Sequence, residues 1–153
     1  MRIPEAKKEI AVERKLHPNN LCIDLLESHA DLYELFFNEN KEEFKTTYPL
    51  FSTRIEKFEK APQNSPYHDY GLGMLYLSKA AIAIRFEKNL EAAWDFRKAY
   101  LYFKDNRKKF PSFSPNNVYF GLLTTVLGSV PNNYQWLLNI IGMPGDINGG
   151  ILM

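Results

Sequence analysis

Three histidines, a single cysteine and a basic cluster are the side chains whose types could support chemistry in this chain. General acid–base work or metal binding by His29 would need a carboxylate on its own helix face. Glu27 and Asp31 stand two residues to either side, a spacing that points the three groups in different directions. His29 is therefore expected to be a core histidine with its polar atoms satisfied. His68 and Asp69, between Tyr67 and Tyr70, lack the His-x-x-x-His or Glu-x-x-His partner that would make a zinc site, and their expected role is capping at a helix start. Cys22 can form no internal disulfide, and among Leu21, Ile23, Leu25 and Leu26 it reads as a buried thiol. Lys104, Arg107, Lys108 and Lys109 complement the negative end of a helix dipole more simply than they make a phosphate or nucleic-acid patch. The run Gly142-Met143-Pro144-Gly145-Asp146 lacks the Lys-Ser/Thr ending and the preceding strand of a phosphate loop, so its glycines are read as a helix end and a turn. No catalytic, metal or cofactor signature emerges, and the expectation is a protein that is not an enzyme. His29, His68 and Asp69 are the only acid–base candidates against it.

The elements that would position these residues are helices. Pro4 and Glu5 open a thinly amphipathic segment over 4–16 with Ile10, Val12 and Leu16. Asn19-Asn20 then precedes a stronger one whose apolar set includes Leu21, Cys22, Leu25, Leu26, His29 and Leu32, followed by Tyr33, Phe36 and Phe37. After Asn38-Glu39-Asn40, the residues Phe44, Tyr48, Phe51, Ile55 and Phe58 recur at steps of four and three. Pro49 lies inside that seam and predicts a kink or break.

The centre of the chain reads as two long antiparallel helices. The first, about 68–86, is rich in small residues, with Gly71, Gly73, Ser78, Ala80, Ala81 and Ala83, and is expected to sit inside. The second, about 89–109, places Ala92, Phe96, Ala99 and Phe103 on one stripe and Glu91, Asp95, Lys98, Asp105 and Lys109 on a wet one. Ser114-Pro115 starts a helix that stops near Gly128, and Asn132 or Asn133 is placed to cap a short one carrying Trp136, Leu137, Ile140 and Ile141. No alternating run reads as a strand. The prediction is one all-α domain over 1–153, made of about seven helices in antiparallel hairpins.

Within the hairpin, Tyr76, Ala80, Ala92, Phe96 and Ala99 match the steric pattern of a tetratricopeptide repeat, a helix-turn-helix of about 34 residues. Lys79, Ala83 and Lys104 depart from it. The runs Glu91–Tyr100, Gly121-Leu122-Leu123, Gly128–Leu138 and Ile141–Ile147 resemble uncharacterised tetratricopeptide-like proteins of Bacteroidetes. Residues 118–150 are also distantly similar to the eukaryotic inclusion-body-clearance proteins. The resemblance implies a right-handed α-α superhelix and a chain that is a portion of a longer protein.

These readings converge on a non-enzymatic helical-repeat scaffold that binds a protein or peptide. The alternatives are a helical domain that binds a lipid or small apolar molecule, and a helical domain of an enzyme. If the repeat reading holds, Met74, Leu77, Ala81, Ile84 and Arg85 face the partner groove. Trp136 and Ile140 belong to an apolar surface over 134–153, expected to self-associate or to be covered by further helices. A net charge of +1 gives no general attraction to nucleic acid or anionic lipid, and no apolar run approaches the roughly 20 residues of a transmembrane helix.

Overall fold

Local side-chain capping sets three of the helix starts. In the computed structural model, which describes residues 2–143, α1 (Ile3–Leu16), α2 (Leu21–Asn38) and α3 (Lys41–Glu59) form an N-terminal array. They are followed by the long pair α4 (Pro66–Arg85) and α5 (Asn89–Lys109), then α6 (Pro115–Gly128), a 3-10 turn at Asn132–Tyr134 and α7 (Gln135–Ile140). There is no strand among the described residues. Asn20 accepts from the Cys22 amide, Asn40 from Glu42 and Glu43, and Ser65 from Tyr67, so three helix starts have an orphan donor satisfied by a side chain. The cap of α4 is thus Ser65 and not His68 or Asp69. Neither Ser114 nor Asn132 nor Asn133 caps by side chain.

The all-α, helical-hairpin architecture is as expected, with α4 inside. Its small residues let α5, α2 and α3 approach it on several sides. A Cβ at Gly71 would lie 2.1 Å from the Phe58 ring of α3, and one at Gly73 would lie 2.7 Å from Phe103 of α5. Those two ring faces rest on bare backbone, and glycine is required at both positions. Ala92 and Ala99 are buried where α5 crosses α4, also as expected. The largest apolar cluster gathers Ile55, Phe58, Leu72, Leu75, Phe103 and Leu123. A smaller one joins Leu35, Phe51 and Ile82, with Phe44 stacked 4.2 Å from Phe86.

Three expectations are corrected. The break at Pro49 does not occur, since α3 runs unbroken from Lys41 to Glu59. Pro49 and Lys45 are exposed, so the carbonyl that loses its donor faces water, while Phe44, Phe51 and Ile55 anchor both halves of the helix. Cys22 is exposed, and so are Leu26, Tyr33 and Phe37. The buried side of α2 instead carries Ile23, Asp24, Ser28, Asp31 and Leu35, because cations from α1 and α3 reach its carboxylates. Asp95, expected on the wet stripe of α5, is buried against Lys79 of α4 at 3.1 Å.

That last pair has a pH signature. Burial raises the Asp95 carboxyl above its ordinary value of 3.8, and Lys79 only partly offsets it. A raised folded-state value contributes stability below pH 3.8 that is lost as pH rises through the folded value. Asp95→Asn removes this titration. The melting temperature of the variant minus that of the wild type should therefore climb from pH 3.8 upward, and a difference that falls over this window would mean that the Lys79 pair dominates.

Candidate functional site

The groups singled out for chemistry are absorbed by packing. His29 is half-buried, with Nδ1 2.8 Å from the Leu25 carbonyl one turn back, and it stands apart from Glu27 and Asp31. The carboxylates face another way: Asp31 pairs with Arg54 at 2.8 Å and Lys7 at 2.9 Å, and Glu27 with Arg14 at 3.1 Å. Asp24 completes the row against Arg14 and Lys57. Four cations meet four carboxylates once Glu34, bonded to Lys7, is included, so the cluster is internally neutral and staples α1, α2 and α3 together. Burial disfavours the Lys7 ammonium, yet its bonds to Glu34 and Asp31 prevail and hold its pKa above the usual lysine value.

His68 and Asp69 are buried, with Nδ1 of the ring 2.7 Å from Asp69 Oδ1, and Lys109 reaches Asp69 Oδ2 at 2.7 Å. This relay ties the start of α4 to the end of α5. Beside it, Asn106 donates to the Pro66 carbonyl at 2.8 Å and to Asn116 at 2.9 Å. The basic end of α5 is similarly engaged, with Lys104 over the Tyr100 ring and Arg107 over Phe120. Among the described residues, no group of three His, Cys, Asp or Glu side chains could hold a metal ion, and no helix is long and apolar enough to cross a membrane.

Among the described residues, an apolar groove of about 710 Å³ at the far end of the α4–α5 hairpin has the shape of a binding site. Ile84 of α4 and Ala92, Ala93 and Phe96 of α5 make one wall. Val126 and Leu127 of α6 and Leu137, Leu138 and Ile141 around α7 make the other, with Val130, Pro131 and Tyr134 closing the turn between them. The walls stand apart because Pro131 prevents α6 from continuing, so α7 folds back toward α5 and leaves a trough. No Asp, Glu, Lys or Arg occurs between Lys109 and Asp146, so the second wall is uncharged throughout. Among the described residues, Glu87 is the one charged residue bordering the groove.

The predicted partner residues divide across this geometry. Ile84 is 59% exposed and lines the groove, whereas Met74 is 6% exposed and belongs to the main core. Leu77 and Ala81 are half-buried, and Arg85 is drawn to Glu39 and to the Phe36 carbonyl. α2 and α3 cover the side of α4 that a bare repeat would leave open. Trp136 and Ile140 are each 53% exposed but point away from the groove lining, which α7 supplies through Leu137, Leu138 and Ile141. Residues 144–153, the rest of the expected apolar surface, lie outside the described residues. Sequence reasoning missed Ala93, Phe96 and Val126 as groove residues. Their apolar spacing is that of any packed face, and only the placement of α7 uncovers them.

The chain is thus an all-α protein of antiparallel helical hairpins with an open apolar groove at one end. No family model, curated protein or solved structure matches it.

Proposed function

We propose that this protein is a non-enzymatic helical scaffold that holds an apolar segment of another protein in the groove between the α4–α5 hairpin and α6–α7. The observation that carries this reading is the groove itself, about 710 Å³ and walled almost wholly by apolar side chains. A volume of this size also falls in the range of small-molecule sites, but those enclose most of their ligand's surface. Here the groove is an open trough whose own lining keeps Ile84, Val126 and Tyr134 exposed, and exposed Leu90 at the start of α5 lies outside that lining. An amphipathic helix laid in the trough would cover them. The small-large-small packing of Ala80, Ala92, Phe96 and Ala99 supports the likeness to a tetratricopeptide-type hairpin, a scaffold that works through binding.

The test is displacement of an environment-sensitive apolar dye from the full chain. A synthetic amphipathic helical peptide should displace the dye, and lauric acid should not. Ala93→Trp, which fills the trough, should abolish dye and peptide binding with helicity retained. Displacement by lauric acid alone would replace this reading with one of lipid binding, and dye binding untouched by Ala93→Trp would remove the groove from consideration.

A further inference from the structure

Among the described residues, two non-glycine residues adopt left-handed backbone, Glu39 at φ 52° and Glu87 at φ 60°. Side chains other than glycine or asparagine are seldom found there, because Cβ crowds the following carbonyl oxygen. Each glutamate ends a helix. For Glu39 the reason is visible, since Arg85 pairs with its carboxylate and also donates to the Phe36 carbonyl, closing α2 onto α4. Glu87 occupies the turn between α4 and α5, where its amide meets the Ile84 carbonyl and the Lys88 amide reaches back to Ala83 at 2.8 Å. This is the paired hydrogen-bond closure in which the left-handed position is most often glycine. Its carboxylate has no hydrogen-bond or ion-pair partner among the described residues. The neighbouring cations are already engaged, Arg85 with Glu39 and Lys88 with Glu91.

A residue held in an unfavourable backbone region, with no side-chain contact to compensate it, is a mark of a functional position. Among the described residues, Glu87 is the one charged residue lining the groove, and the wall made by α6 and α7 carries no charge. We infer that Glu87 is the recognition group of this groove, selecting an amphipathic helical segment that carries a lysine or arginine at one end of its apolar stripe. The inference rests on the reading of the groove as a segment-binding site and adds the chemistry of the segment. The apolar walls supply affinity without preference for any charged sequence, whereas a single carboxylate at the rim favours a cation and repels an acidic flank.

The experiment uses the full chain and synthetic helical peptides that share one apolar stripe and carry lysine, glutamine or glutamate at one end of it, each end being tried in turn. In low salt the better lysine peptide should bind about three- to fivefold more tightly than its glutamine counterpart, the size of an exposed ion pair, and the glutamate peptide more weakly than either. Glu87→Gln retains the left-handed residue but removes the charge, and should bring the lysine-to-glutamine ratio to about one while leaving the glutamine peptide's affinity unchanged. Glu87→Gly should lose the same discrimination and raise the melting temperature. Equal binding of all three peptides by the wild type, abolished by Ala93→Trp, would overturn the role of Glu87 and leave the groove reading standing. Failure of every peptide to bind would overturn both. A lower melting temperature for Glu87→Gln would make the carboxylate a structural group and also overturn the inference.

Discussion

Phe103→Ala is expected to destabilise the protein by about 3–5 kcal/mol, the usual cost of deleting a fully buried aromatic ring. Phe103 stacks on Tyr119 at 5.3 Å and meets Tyr70 edge-on at 5.8 Å, joining α5 to both α6 and α4. Its ring also lies on the bare backbone of Gly73, where an added Cβ would come within 2.7 Å. Gly73→Ala alone should therefore overpack the crossing, at a cost of about 1–3 kcal/mol lessened by the roughly 1 kcal/mol that alanine contributes to helix propensity. With Phe103 already removed the clash is gone, and the same substitution should become neutral or stabilising. Denaturant unfolding of the two single variants and the double variant checks this. Additive losses would show that Gly73 is small for some reason other than the ring. By the usual scaling, the Phe103→Ala loss should lower the melting temperature by about 10 °C.

The second large effect concerns the charged seam. Arg54 is buried, pairs with Asp31 and Glu27, donates to Ser28 Oγ at 3.2 Å and lies over the Phe51 ring. Breaking a buried pair from one side costs about 3–5 kcal/mol, because the partner charge is left without compensation. Lys7 remains on Asp31, so Arg54→Met should fall near the lower end, about 3 kcal/mol. Replacing both partners, Arg54→Met with Asp31→Leu, should recover most of that loss, since apolar groups of similar volume do not need to be desolvated as charges. A double variant as unstable as the single one would mean that Arg54 acts through its stem and the Phe51 contact, not through its charge. The seam has a further consequence for α1, which buries no residue fully and is held to α2 by Lys7 and Arg14. Its attachment leans on ion pairs, where that of α4 to α5 joins a large apolar core to the Lys79–Asp95 and Lys109–Asp69 pairs.

The groove and the seam lie in different parts of the molecule and answer to different forces. Substitutions of Arg54 and Phe103 report on folding, while Glu87 and Ala93 are placed to change binding with the helices intact. Loss of peptide binding in an Arg54 variant is expected only to the extent that the chain unfolds.

The amino-acid sequence on its own determines the all-α class and nearly every helix boundary, because capping and chain breaking are local. Asn20, Asn40 and Ser65 act on amides two or three residues away, and Pro131 stops α6 wherever the rest of the chain lies. The close crossing of α4 and α5 is legible for the same reason, since Gly73, Ala80, Ala92 and Ala99 are small wherever they are placed. What only the tertiary structure decides is which face of a helix turns inward. Apolar spacing in α2 favoured Cys22, Leu26 and Tyr33, yet Asp24 and Asp31 are buried there, because Arg14, Lys57, Lys7 and Arg54 arrive from other helices to compensate them. Asp95 is buried on the same terms by Lys79. The groove is more distant still from the sequence, for Ala93 and Val126 read as ordinary packing residues until the fold of α7 toward α5 leaves the space between them uncovered. A buried charge or an open trough depends on what a remote segment brings to it, and that is a property of the assembled chain alone.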